Sequence, residues 1–128
     1  MTEVAEFLMQ QDIAVRPNTG HFASETEALD GVVARLVEAL DPQAIWLFGS
    51  RARGTHRPDS DFDLLVVAKP GQLWASDYRA ALKPVHETWV GCDIVPCSKA
   101  EFEEGLSLHT SFAADVASSG RLLYGAAP

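Results

Sequence analysis

The chain has 128 residues, 47% of them hydrophobic, and a formal net charge of −8 from 10 basic and 18 acidic side chains. That length suits one domain with a true core and leaves no room for a second catalytic lobe. The acidic balance argues against nucleic acid as the main partner, since phosphate backbones are gripped by clustered Lys and Arg, and favours a basic protein surface instead.

In chain order, Val4, Phe7 and Leu8 predict a short first helix, closed off by the loop Arg16-Pro17-Asn18-Thr19-Gly20. Residues 1–23 read as an N-terminal extension and residues 24–128 as the domain proper. The start, Met1-Thr2-Glu3-Val4, lacks the basic opening and apolar core of a signal peptide. No run reaches membrane-spanning length, so a cytoplasmic protein without a membrane partner is expected. Ser24-Glu25-Thr26-Glu27 forms a capping box with Ser24 as cap and Glu27 reaching back. Leu29, Val32, Val33, Leu36, Val37 and Leu40 then recur at helical spacing up to Asp41-Pro42.

Ile45 to Phe48 is a short bulky run ending at Gly49, which predicts a buried strand emptying into a turn. Gly49 lets backbone approach a ligand closely, and Ser50 is placed to open a short helix whose first N–H groups attract anions. After ten intervening residues, Ser50 is followed by Asp61-Phe62-Asp63 at the head of Leu64-Leu65-Val66-Val67. In a strand, Asp61 and Asp63 share one face, roughly 6–7 Å apart along the chain, while Phe62 and Leu64 face the other. Carboxylates held that close repel unless one is protonated or a cation lies between them. Mg²⁺ suits such a pair, because it takes one or two carboxylates and completes its shell with water and phosphate oxygens.

Lys69-Pro70-Gly71 breaks the chain, and Tyr78, Ala81 and Leu82 predict a crossover helix that stops or kinks near Pro84. Trp89 to Val95 reads as another strand, ended by Pro96, with Asp93 embedded among apolar neighbours. A charge inside such a run is costly unless paired or metal-bound. Beside Asp61 and Asp63, Asp93 would complete a three-aspartate cluster; alone it is a surface residue on an edge strand. A last helix is expected to carry Leu108, Phe112 and Val116 on one stripe and to end at Gly120. Cys92 and Cys97 lack the second pair that a zinc site needs and read as buried thiols.

Other phosphate motifs fail. Gly49 to Gly54 meets the first half of the Walker pattern, but Thr55 and His56 stand where its lysine and hydroxyl residue belong. The dinucleotide fingerprint is absent from the turn. Arg51, Arg53 and Arg57 surround the turn; Arg51 or Arg53 could grip phosphate oxygens, and all three could equally offset the aspartates.

These residues carry a family resemblance. Gly49-Ser50, the ten-residue gap, Asp61-x-Asp63 and the later Asp93 resemble the DNA polymerase beta superfamily of nucleotidyltransferases. Phe48 to Gly54, Ser60 to Val66 and the end Gly120-Arg-Leu-Leu-Tyr124 look most like the minimal nucleotidyltransferases of prokaryotes. The resemblance covers about residues 26–125. It implies an α/β (α+β) fold, a small mixed sheet flanked by helices in a single domain. It also implies transfer of a nucleoside monophosphate from a triphosphate to a hydroxyl, with Gly49 and Ser50 on phosphates and Asp61 and Asp63 on Mg²⁺. Asp93 would be the third ligand or the base. One or two metal ions, with ATP as substrate, fit that chemistry.

Proteins of this type are commonly antitoxins paired with a HEPN ribonuclease toxin, which they silence by placing AMP on a tyrosine. A HEPN-type toxin is therefore the expected partner. The alternative is a nucleotidyltransferase-fold module of little or no activity that neutralises a partner by binding; modification of a small molecule of the aminoglycoside type is a third reading.

Overall fold

The computed structural model describes residues 16–108 and 111–126. The helix expected around Val4 to Leu8 lies outside the described residues. The elements are α1 (Glu25–Leu40), β1 (Ala44–Phe48), α2 (Gly49–Arg53), β2 (Phe62–Ala68), a 3-10 turn (Leu73–Ser76), α3 (Tyr78–Leu82), a 3-10 segment (Lys83–Thr88), β3 (Cys92–Ser98), α4 (Lys99–Leu106), α5 (Phe112–Ser119) and β4 (Arg121–Gly125).

The strands form one sheet in the order β3-β2-β1-β4. β1 runs antiparallel to both β2 and β4, whereas β2 and β3 are parallel, so the sheet is mixed. The α3 crossover is what makes the parallel pair possible, since parallel neighbours need a connection of a dozen residues or more.

Strand alternation divides the core into two layers. Ile45, Leu47, Phe62, Leu64, Val66 and Ile94 pack with Ala28, Val32 and Leu36 of α1 and with Ala81 and Val85 from the crossover. On the opposite face Trp46, Leu65 and Val67 pack with Phe102 of α4 and Val116 of α5. Each buried Val, Leu, Ile or Phe among them contributes about 1.5–3 kcal/mol by leaving water.

Helix α1 starts as its sequence requires: Ser24 Oγ accepts the Glu27 N–H at 3.1 Å. Glu27 Oε2 reaches one residue further back than expected and accepts the Ala23 N–H at 3.2 Å. The chain leaves α1 through Asp41 at φ 46°, ahead of the buried Pro42.

Two expectations about the second half need correcting. β3 begins at Cys92 and continues through Pro96, which pairs with Val66. It does so because β3 is an edge strand, where a missing N–H can face outward without breaking a ladder bond. The single last helix is two. Ser98 caps α4 with a complete capping box to Glu101, and Ser111 caps α5 by accepting the Ala114 N–H at 3.1 Å. Leu108 therefore sits in the connection and is exposed, as is Phe112, and only Val116 of the expected stripe enters the core.

Candidate active site

The expected aspartates meet where the C-terminal end of β1 lies beside the N-terminal ends of β2 and β3. Asp61 stands one residue ahead of β2, and the next residue, Phe62, already donates its N–H to the Gly91 carbonyl at 3.0 Å. Asp63 is the register partner of Asp93 across the parallel pair and of Phe48 across the antiparallel pair. Side chains of register partners share a face, so Asp63 and Asp93 project side by side from the layer that further along carries Leu65 and Val95.

Bare backbone makes room for these carboxylates. Gly49 follows Phe48 with φ +75°, and a Cβ there would run into the Asp63 carboxylate. Glycine is required at that point by both conformation and space. At Gly91 a Cβ would collide with the Asp61 carboxylate. From Gly49 the chain turns directly into α2, with Ser50 in its first turn, and stops at Gly54.

Electrostatics mark Asp63 as the centre of the row. Burial first, then the charges of Asp93 and Asp61, push its carboxyl above the ordinary range, while Arg53 opposes them. Arg53 is thus an exposed cation acting on the aspartates. Arg51 has the opposite fate. Its side chain is only 4% exposed, its Nε donates to the Ser60 carbonyl at 2.9 Å and an Nη to the Pro58 carbonyl at 3.0 Å. The guanidinium also meets Glu25 at 3.4 Å and lies 4.0 Å above the Phe62 ring. Of the two arginines expected near phosphate, Arg51 turns inward and braces the loop that carries Asp61, leaving Arg53 beside the carboxylates. Arg57 pairs loosely with Asp59 at the surface.

Among the described residues, no three carboxylate, imidazole or thiol groups already stand close enough to hold a metal ion. The aspartates form a row rather than a closed cage. Hard oxygen donors, a carboxyl held above its ordinary range by burial and by neighbouring like charge, and two glycine-backed recesses nevertheless fit Mg²⁺, which needs few protein ligands when phosphate oxygens supply the rest.

Sequence reasoning missed two neighbours of this row. Asn18 is a clamp: its Oδ1 accepts the Gly91 N–H at 2.6 Å, and its Nδ2 donates to the Gly91 carbonyl at 2.8 Å and the Ser60 carbonyl at 3.0 Å. It ties the residue before Asp61 to a residue two before Asp93. Tyr78, at the start of α3, donates its hydroxyl to Asp93 Oδ1. That bond, followed by burial and the charges of Asp93 and Asp63, holds the phenol above its usual pKa.

With this geometry in view, the match to known proteins decides the family. The nucleotidyltransferase domain family matches residues 29–123, which is most of the chain. The chain belongs to the nucleotidyltransferase domain family. Solved structures share its fold. A Sulfolobus solfataricus protein assigned to the nucleotidyltransferases is 19% identical, with a TM-score of 0.51 over 76% of this chain and 77% of that one. A toxin–antitoxin structure with AMP-PNP is 23% identical, with a TM-score of 0.50 over 76% and 73%. A mutant of the MntA–HpeT toxin–antitoxin is 21% identical, with a TM-score of 0.51 over the same shares. No curated protein matches the chain. The single mixed-sheet domain expected from the nucleotidyltransferase motifs is the architecture observed. No helix among the described residues is long and apolar enough to cross a membrane.

Proposed function

We propose that this nucleotidyltransferase uses Mg²⁺ and ATP to place AMP on a hydroxyl of a partner protein, acting as the antitoxin of a HEPN-type ribonuclease toxin. The observation that carries the reading is the register pairing Asp63 with Asp93 directly above the bare backbone of Gly49. A triphosphate held at Gly49 and Ser50 would lie near Asp61 and Asp63, which would share the cation, and near Asp93, which would receive the acceptor's proton.

In this reading Asp61 and Asp63 hold Mg²⁺, which when bound neutralises charge on the triphosphate and on the leaving pyrophosphate. Asp93 accepts the proton of the acceptor hydroxyl, a role suited to a carboxylate that already receives a hydrogen bond from a hydroxyl. Gly49 and Ser50 present N–H groups to phosphate oxygens, and Arg53 supplies an exposed cation. Arg51 acts by bracing residues 58–60. ATP and a toxin partner are supported by likeness to toxin–antitoxin structures, one of them with AMP-PNP. The net charge of −8 favours a basic protein over nucleic acid.

Incubation of the chain with α-labelled ATP, Mg²⁺ and the product of a neighbouring gene tests the reading. Label on a hydroxyl of that protein, lost when Asp61 and Asp63 are both changed to Asn, is the expected result. Neutralisation of the partner that survives both changes undiminished overturns catalysis in favour of simple occlusion.

A further inference from the structure

Tyr78 sets a phenol against the acidic row. Its hydroxyl donates to Asp93 Oδ1, and the charge of Asp63 acts on it as well. The residue is 48% exposed, so a bound nucleotide can reach it. A hydrogen bond to a charged group adds roughly 1.5–3 kcal/mol to folding; this one is exposed to water, and stability alone does not call for a phenol at an acidic row.

The placement is nonetheless firm. Asp77 caps α3 by accepting the Arg79 and Ala80 N–H groups, each at 3.1 Å. Ala81 anchors the same helix in the core with no exposed surface. Tyr78 is therefore held at the carboxylates by its backbone rather than swept there by a free loop. The chain has two tyrosines. The other, Tyr124 on β4, packs against the α1 side of the core.

We infer that Tyr78 is the chain's own acceptor, so that the site transfers a nucleoside monophosphate to the Tyr78 hydroxyl and thereby withdraws itself from other acceptors. The inference rests on the proposed transfer reaction and extends it to a second, internal substrate. The Tyr78 oxygen bonds to the α-phosphorus as the link from that phosphorus to its bridging oxygen breaks. Pyrophosphate leaves, and the phenolic proton passes to Asp93 and on to water. The products are a tyrosyl phosphodiester, pyrophosphate and a proton, with no oxidant or reductant required. The bulky nucleotide on Tyr78 then blocks Asp93, and the unmodified ring competes with any outside hydroxyl for the same carboxylate.

The full chain, incubated with α-labelled ATP and Mg²⁺ without a partner, is expected to gain the mass of one AMP, and peptide mapping is expected to place it on Tyr78. Tyr78→Phe is expected to lose that label entirely. The same variant is expected to modify N-acetyltyrosine amide, added as a free phenol, several-fold faster than the native chain, because the internal competitor is gone. Label that persists on the Tyr78→Phe chain, or maps elsewhere, overturns the inference. A native chain that labels the free phenol but never itself also overturns it, while leaving nucleotidyl transfer standing. Absence of label on both chain and phenol removes the transfer reading and this inference together.

Discussion

The two faces of the sheet put the same strands to different uses. On the α1 face every strand residue from Phe62 through Leu64 to Val66 is buried, and the layer runs unbroken to Ile94. On the opposite face, Leu65 and Val67 reach Phe102 and Val116, but the positions before them are Asp63 and Asp61, with Asp93 alongside. One face is devoted to stability along its whole length. The other gives its first positions to charge and leaves them uncovered by α4 and α5. The difference teaches that the site costs little of the core, because alternation lets a single strand carry a carboxylate and a buried leucine at successive residues.

The sharpest way to break that contrast is to change neighbours that face opposite ways. Asp63→Asn is expected to lower single-turnover transfer by about 10³-fold or more, a loss typical when charge stabilisation at a transferring phosphoryl group is removed. The same change is expected to raise the metal-free Tm by a few degrees. Asp63 has a raised carboxyl pKa, so the folded chain holds that proton more readily than the unfolded chain. Stability is accordingly lost as pH climbs through the carboxylate range, and an amide removes that loss. Mg²⁺ should raise the Tm of the native chain and leave that of the variant unmoved. Leu64→Ala, one residue on, is expected to cost about 3 kcal/mol in denaturant unfolding while transfer per folded molecule holds.

The two arginines repeat the contrast within α2. Arg51→Met removes two charged hydrogen bonds to backbone carbonyls and is expected to cost about 2–3 kcal/mol, with no rescue by Lys, which cannot fork between two acceptors. Arg53→Met is expected to leave unfolding unchanged and to lower transfer by roughly 10-fold, the scale of one lost phosphate contact. Stability that falls equally in both variants would mean that Arg53 also braces the loop.

Asn18→Leu probes how the acidic row is held together. It strips partners from Ser60 and Gly91, so a loss of about 2 kcal/mol is expected. A merely structural clamp would stop there. Because Asn18 holds the segments bearing Asp61 and Asp93 in register, the Mg²⁺ concentration needed for half-maximal transfer is also expected to rise several-fold. Titration of Mg²⁺ against the folded variant checks this.

Much of this arrangement was legible in residue order because its causes are local. A glycine after a bulky run, two aspartates two apart and a helix-sized gap before Asp93 are all local patterns, so the clustering of the aspartates could be expected, whereas the mixed sheet was implied by the family resemblance. Asn18 could not, since its partners lie 42 and 73 residues away and Asn-Thr-Gly reads as an ordinary loop. Arg51 and Arg53 are indistinguishable by spacing; only the position of Phe62 and the residue 58–60 carbonyls sends one inward. Pro96 looked like the end of a strand because nothing in its neighbourhood says that β3 is an edge.

The smallest effect separates the faces through the cysteines. Cys92 packs against the α1 layer and Cys97 against the other, and both are free thiols. Burial pushes each up to about 12 from an ordinary 9.0; Asp61 and Asp63 add to the effect at Cys92 against Arg51, and Glu101 adds to it at Cys97. Both thiols are therefore expected to resist alkylation in the folded chain at pH 8. Between pH 9.0 and about 12 the unfolded chain gives up thiol protons that the folded chain keeps. Stability from this source is thus present below that window and falls as pH rises through it. Asp61→Asn removes a repelling charge near Cys92 alone, so the pH profile of its alkylation should shift down while that of Cys97 stays fixed. Equal shifts at both cysteines would show that the acidic row reaches through the sheet rather than acting on the strand that carries it.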